Sequence, residues 1–84
     1  MNKKKLLQKL QNNYKNVKFS ELATLIEAFG FRMIRTTGSH NIYERNDVSE
    51  MVNIQNYKGE AKPYQVRQFL SLIEKYNLKL EDDE

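Results

Sequence analysis

The hydrophobic period of this chain changes twice, and the two changes leave it few ways to fold. Leu22, Leu25, Ile26 and Phe29 recur at the i, i+3, i+4, i+7 spacing of one helical stripe, and Gly30 stands where such a helix ends. From Phe31 the spacing becomes that of strands, over Phe31–Arg35, His40–Arg45 and Met51–Gln55, with turns at Thr36-Thr37-Gly38 and Asn46-Asp47. The helical period returns at Pro63, a residue suited to the first helical position, and Val66, Phe69, Leu70 and Ile73 form its stripe. That helix runs to about Tyr76, with Asn77 as its C-cap. A shorter helix over residues 4–12 precedes these elements, with Leu6, Leu7 and Leu10 on one side. Ser20 is the expected N-cap of the second helix, with Glu21 at the positive end of its dipole. The order α(short)-α-β-β-β-α predicts an α+β domain: a three-stranded antiparallel sheet with helices packed on one face.

With 84 residues, 39% of them hydrophobic, the chain supports one domain and no deep internal cavity, so a functional site is expected on its surface. Residues 1–19 read as an N-terminal helical extension and connection, 20–78 as the core domain, and 79–84 as an acidic tail, with the chain fraying from Leu78 on. There is no cysteine, hence no disulfide framework, thiol nucleophile or Cys-based metal site, as suits a reducing cytoplasm. The basic start Met1–Lys5 is followed by an apolar stretch that Gln8 and Lys9 break, too short for a signal peptide. No run approaches the roughly 20 apolar residues of a membrane span. Four of the 11 acids lie in Glu81-Asp82-Asp83-Glu84, so residues 1–80 hold 14 basic and seven acidic side chains, a net charge of +7. A surface this basic suits a polyanionic partner such as nucleic acid, although a solvated basic surface reads the same way.

The only histidine, His40, follows the Gly38-Ser39 turn and opens a strand. It is the one side chain here whose ordinary titration lies near neutral pH, which makes it the candidate general base. Ile42 is the expected core residue of that strand. Strict alternation then gives His40 the same face, whereas its place at the strand's beginning, or a bulge after Gly38, brings it out. Ser39 is not a nucleophile for His40, since adjacent strand residues point to opposite faces. One histidine makes no metal site, and Glu44, Asp47, Glu50 and Glu60 lack metal-ligand spacing. The helix start at Lys62-Pro63, with Lys58 nearby, forms an anion site suited to phosphate. Arg32 and Arg35 flank the histidine hairpin and can hold a phosphodiester. Each of these cations also reads as a solvated surface residue. Tyr43 suits either stacking on a base or packing.

Taken together, Gly30-Phe31, Arg35, Gly38-Ser39-His40 and the later Lys62-Pro63 helix start with Val66-Arg67 and Leu70 resemble the HicA family of messenger-RNA interferase toxins, over about residues 20–78. The resemblance implies a fold similar to the double-stranded RNA-binding domain. It also implies endoribonuclease activity that needs no metal or other cofactor, with His40 as the catalytic residue, and neutralisation by a HicB-type antitoxin. Family members often carry a second histidine after the first, where this chain has Asn41. The expected RNA-contacting residues are Arg32, Arg35, Ser39, Lys58 and Lys62. The expectation is a cytoplasmic toxin, monomeric when free and hetero-oligomeric with its antitoxin, that cleaves mRNA. The alternatives are a non-catalytic RNA-binding module of the same fold, or an interaction domain whose basic face meets an acidic protein.

Overall fold

The computed structural model describes residues 2–80. Its elements are α1 (Lys3–Asn12), α2 (Phe19–Ala28), β1 (Arg32–Thr37), β2 (His40–Arg45), β3 (Val48–Tyr57), β4 (Glu60–Ala61) and α3 (Pro63–Tyr76). The strands form one antiparallel sheet in the order β1-β2-β3-β4, so the α+β reading holds with four strands instead of three. The extra strand is the short β4, between β3 and α3. It exists because Lys58-Gly59 makes a two-residue turn with both residues at positive φ, 53° and 87°, which sends the chain back along the end of β3.

Helix stripes and strand faces meet in a single core. Leu22, Leu25, Ile26 and Phe29 of the α2 region are at most 1% exposed, as are Val66 of α3 and Ile54 of β3. The Phe69 ring of α3 meets Phe29 and Phe31 edge-on, with centroids 5.9 and 5.7 Å apart, and so locks α3 to the α2–β1 connection. Leu6 and Leu10 of α1 and the following Val17 join the same core. Lys9 reaches across to Glu21 at 2.6 Å. Burial alone would push the Glu21 carboxyl up, but hydrogen bonds from Lys9 and the Lys18 amide outweigh it and hold the group low.

Four sequence expectations are corrected. The N-cap of α2 is Lys18 instead of Ser20. The cause is tertiary: Phe19 N–H donates to Gly59 O and Ala61 N–H to Val17 O, both at 2.9 Å, so pairing with the β3–β4 hairpin sets where the helix begins. Thr36 and Thr37 belong to β1, leaving Gly38-Ser39 as the turn. Gly38, at φ +60°, carries the positive φ that a tight hairpin of this kind requires. In β2 the core residue is Tyr43, 3% exposed, and Ile42 faces the other way. Val52 and Ile54 fix the helix-facing side of β3, and Tyr43 lies opposite Val52. Lastly, Leu78 does not fray: it is 9% exposed, and its N–H donates to Ile73 O at 2.9 Å past the left-handed cap at Asn77. The acidic residues Glu81–Glu84 lie outside the described residues.

Candidate active site

Cross-strand register determines which side chains share the helix-free face of the sheet. Directly opposed residues point to the same side, and Tyr43, Val52 and Ile54 point to the helices. His40, opposite Gln55, and Ile42, opposite Asn53, therefore face away from them. Across the β1–β2 ladder the same face carries Thr37 opposite His40, Arg35 opposite Ile42, and Arg32 opposite Glu44. His40 emerges there by ordinary alternation and needs no bulge after Gly38.

A bulge does matter one strand away. The β1–β2 register shifts between Met33 and Arg35, so Met33 and Thr36 share the opposite face, where Thr36 Oγ1 lies 3.5 Å from Met33 Sδ. Without the extra residue, strand alternation would have put Arg35 on the side of Met33. The bulge turns it toward the histidine's face. Arg35 then lies about 7 Å along the sheet from His40, at roughly 3.4 Å per residue.

The two hairpin turns at Gly38-Ser39 and Lys58-Gly59 lie at the same end of the sheet, next to the start of α3, and Asn56 N–H donates to Ser39 O at 3.0 Å to hold them together. Ser39, His40, Lys58 and Lys62 are thereby collected at one end. Lys62 is the N-cap of α3, and the ammonium groups of Lys58 and Lys62 lie 5.5 and 5.3 Å from the centroid of the Tyr57 ring. Arg32 is not part of this collection. It pairs with Glu44 at 3.5 Å, four residues up β2 from His40, about 13 Å away.

His40 is half-buried, and its Nδ1 lies 3.2 Å from Oδ1 of Asn53 on the neighbouring strand. An amide oxygen only accepts, so in the neutral imidazole this contact puts the proton on Nδ1 and leaves the Nε2 lone pair free. Sequence reasoning missed Asn53 as a partner, although its place on the polar side of β3 was the available signal. It also missed Gln65. This α3 residue is 5% exposed, and its Oε1 accepts from the Gln55 amide at 2.8 Å, tying the strand opposite His40 to the helix. Only the tertiary arrangement shows that link. Beneath the site, burial pushes the Tyr43 phenol up, with the charge of Glu27 adding to it.

A second polar cluster lies at the other end of β3. Glu50 accepts hydrogen bonds from Lys75 at 2.7 Å and from Tyr76, and Ser49 donates to it at 3.2 Å. These bonds, Lys75 first, hold its carboxyl down at about 2 against an ordinary 4.5, and the same pairing raises Lys75. The cluster joins β3 to the end of α3 and lies away from His40. Among the described residues no group of three or more His, Cys, Asp or Glu is placed to hold a metal ion, and no helix is long and apolar enough to cross a membrane.

Neither curated proteins nor solved structures give a match to this chain. The family model described as the HicA toxin of bacterial toxin–antitoxin systems matches residues 19–74, the span from the start of α2 to the last turns of α3. That span contains the whole sheet and every candidate residue named above. The chain belongs to the HicA family, the toxins of bacterial toxin–antitoxin pairs.

Proposed function

We propose that this protein is a metal-independent endoribonuclease that cleaves mRNA in the cytoplasm, with His40 as general base. The observation that carries the reading is the His40–Asn53 hydrogen bond, which leaves Nε2 as an acceptor on a basic, helix-free face. RNA supplies its own nucleophile, the 2′-OH beside the scissile phosphate. Nε2 takes the 2′-OH proton as the oxygen attacks phosphorus, and the P–O5′ bond breaks. The products are a 2′,3′-cyclic phosphate and a 5′-hydroxyl, whose proton comes from water. Arg35, Lys58 and Lys62 stabilise the charge that builds on the phosphoryl oxygens. Ser39 contacts the RNA backbone from the turn, and Arg32 serves a more distant phosphate if it leaves Glu44. General-base catalysis contributes roughly 10²–10⁴-fold, enough for a toxin that cuts slowly and broadly.

The antitoxin is a HicB-type protein that presents an acidic surface to the same face, and association with it is fast at low salt because opposite charges steer the encounter. The test of the reading is incubation of the purified protein with single-stranded RNA in excess chelator. Cleavage to 5′-hydroxyl ends supports it. Binding without cleavage leaves a non-catalytic RNA-binding module, and activity that returns only with a divalent ion replaces the mechanism with a metal-dependent one.

A further inference from the structure

Tyr57 is a large aromatic side chain that the fold does not use. It is 53% exposed and lies outside the hydrophobic core, which takes in Tyr43 and packs Tyr14 and Tyr76 against itself. The hydroxyls of Tyr76 and Tyr64 are engaged with Glu50 and Gln65, whereas that of Tyr57 has no partner among the described residues. A tyrosine outside the core, its hydroxyl without a partner among the described residues and its ring contacted by two lysines, suits a ligand with a flat apolar face and negative charge beside it.

Its position says which ligand. Along β3, Asn53, Gln55 and Tyr57 alternate onto the helix-free face, with Gln55 directly opposite His40. Tyr57 is two residues further on, about 7 Å along the strand. Lys58 and Lys62 hold their ammonium groups 5.5 and 5.3 Å from its ring centroid. Such contacts at an exposed site are weak enough for the lysines to turn from the ring to a phosphate. Lys58 itself sits at φ 53°, in the left-handed region that few side-chain-bearing residues occupy, so the turn holds a cation where Asn or Gly would fit more easily.

We infer that Tyr57 is the stacking platform for one nucleobase of a single-stranded RNA, at the nucleotide next to the phosphate that His40 addresses, with the flanking phosphates on Lys58 and Lys62. This rests on the reading of His40 as an RNA general base and adds to it the residue that sets register. A tyrosine face accepts any base, so the platform fixes where the strand lies and leaves sequence preference broad.

The experiment is fluorescence anisotropy with a labelled, fully 2′-O-methylated RNA oligonucleotide that cannot be cut, using the full chain. Tyr57→Ala should weaken binding about tenfold without altering the salt dependence, and Tyr57→Phe should bind as wild type. Lys58→Ala and Lys62→Ala should each flatten the slope of log K against log salt by about 0.7, one phosphate on a single strand. Oligonucleotides no longer than the site, with one abasic position moved along the strand, then locate the stacked base. At one position the wild type should lose about tenfold, and Tyr57→Ala should lose nothing further there. Melting curves of the variants confirm that this exposed hairpin position has not unfolded the domain. Tyr57→Ala binding within twofold of wild type overturns the inference, as does an equal abasic penalty in both proteins at every position. Cleavage by wild type and His40→Ala is measured alongside. If cutting depends on His40 while Tyr57→Ala binds normally, only the stacking platform falls. If the wild type neither binds nor cuts RNA, both readings fall.

Discussion

Asn53 Oδ1 accepts a hydrogen bond from His40 Nδ1 at 3.2 Å, across the ladder between β2 and β3. The pair is diagonal in register, since His40 lies opposite Gln55 and Asn53 opposite Ile42. The contact therefore fixes both the tautomer and the orientation of the imidazole. Asn53→Ala should lower kcat about tenfold to hundredfold with little change in KM, a part of what the general base supplies. Asn53→Asp should instead favour the imidazolium by putting a carboxylate on Nδ1, moving the acid limb of the kcat/KM profile to higher pH. An undiminished kcat in Asn53→Ala together with an unchanged pH profile in Asn53→Asp would mean that Asn53 does not position the histidine.

Gln65 should prove to be a stability residue with a local signature. Its side chain is buried and serves the Gln55 amide on the strand facing His40. Gln65→Leu removes the acceptor and should cost about 1–3 kcal/mol. Amide hydrogen exchange should show the loss concentrated at Gln55. Uniform loss of protection across the sheet would assign Gln65 to general packing.

The Glu50 cluster makes a part of the fold's stability depend on pH in the acid range. Its folded-state value of about 2 lies below the ordinary 4.5, so its stabilising contribution is complete above about 4.5 and disappears as pH falls toward 2. Glu50→Gln should flatten the stability curve between those values. The comparison is urea denaturation of both proteins from pH 6 down to pH 2. Parallel curves through that window would show that the cluster does not contribute.

Substrate and antitoxin should compete. A standard interface removes about 800 Å² per partner, and the accessible surface of this chain is 5483 Å². An interface of that size centred on the face that carries Arg35, His40 and Lys62 covers all three. Stepwise addition of the antitoxin to His40→Ala bound to uncleavable RNA should release the RNA. A ternary complex with undiminished RNA affinity would mean that the antitoxin acts by changing the toxin's conformation.

Much of this architecture was legible because its elements carry unmixed periods. The stripes of α2 and α3, the β2 limits His40–Arg45 and the left-handed cap at Asn77 all follow from local chemistry. Where two apolar residues adjoin, as Ile42 and Tyr43 do, alternation cannot choose between faces, and the decision belongs to the partner strand. The bulge that delivers Arg35, the start of α2 and strand β4 likewise depend on long-range pairing. His40, Arg35, Lys58 and Lys62 stood out as residue types suited to phosphate chemistry. Asn53 and Gln65 did not, because nothing about an asparagine or glutamine in sequence shows whose hydrogen bond it completes.

The most direct test of the central claim uses a DNA oligonucleotide carrying a single ribonucleotide, incubated in excess chelator with the wild type and with His40→Ala. The account predicts one cut, immediately 3′ of the ribonucleotide, leaving a 2′,3′-cyclic phosphate, made by the wild type and at least 10²-fold slower by the variant. Cleavage of the all-deoxy strand, or an undiminished rate in His40→Ala, would contradict it.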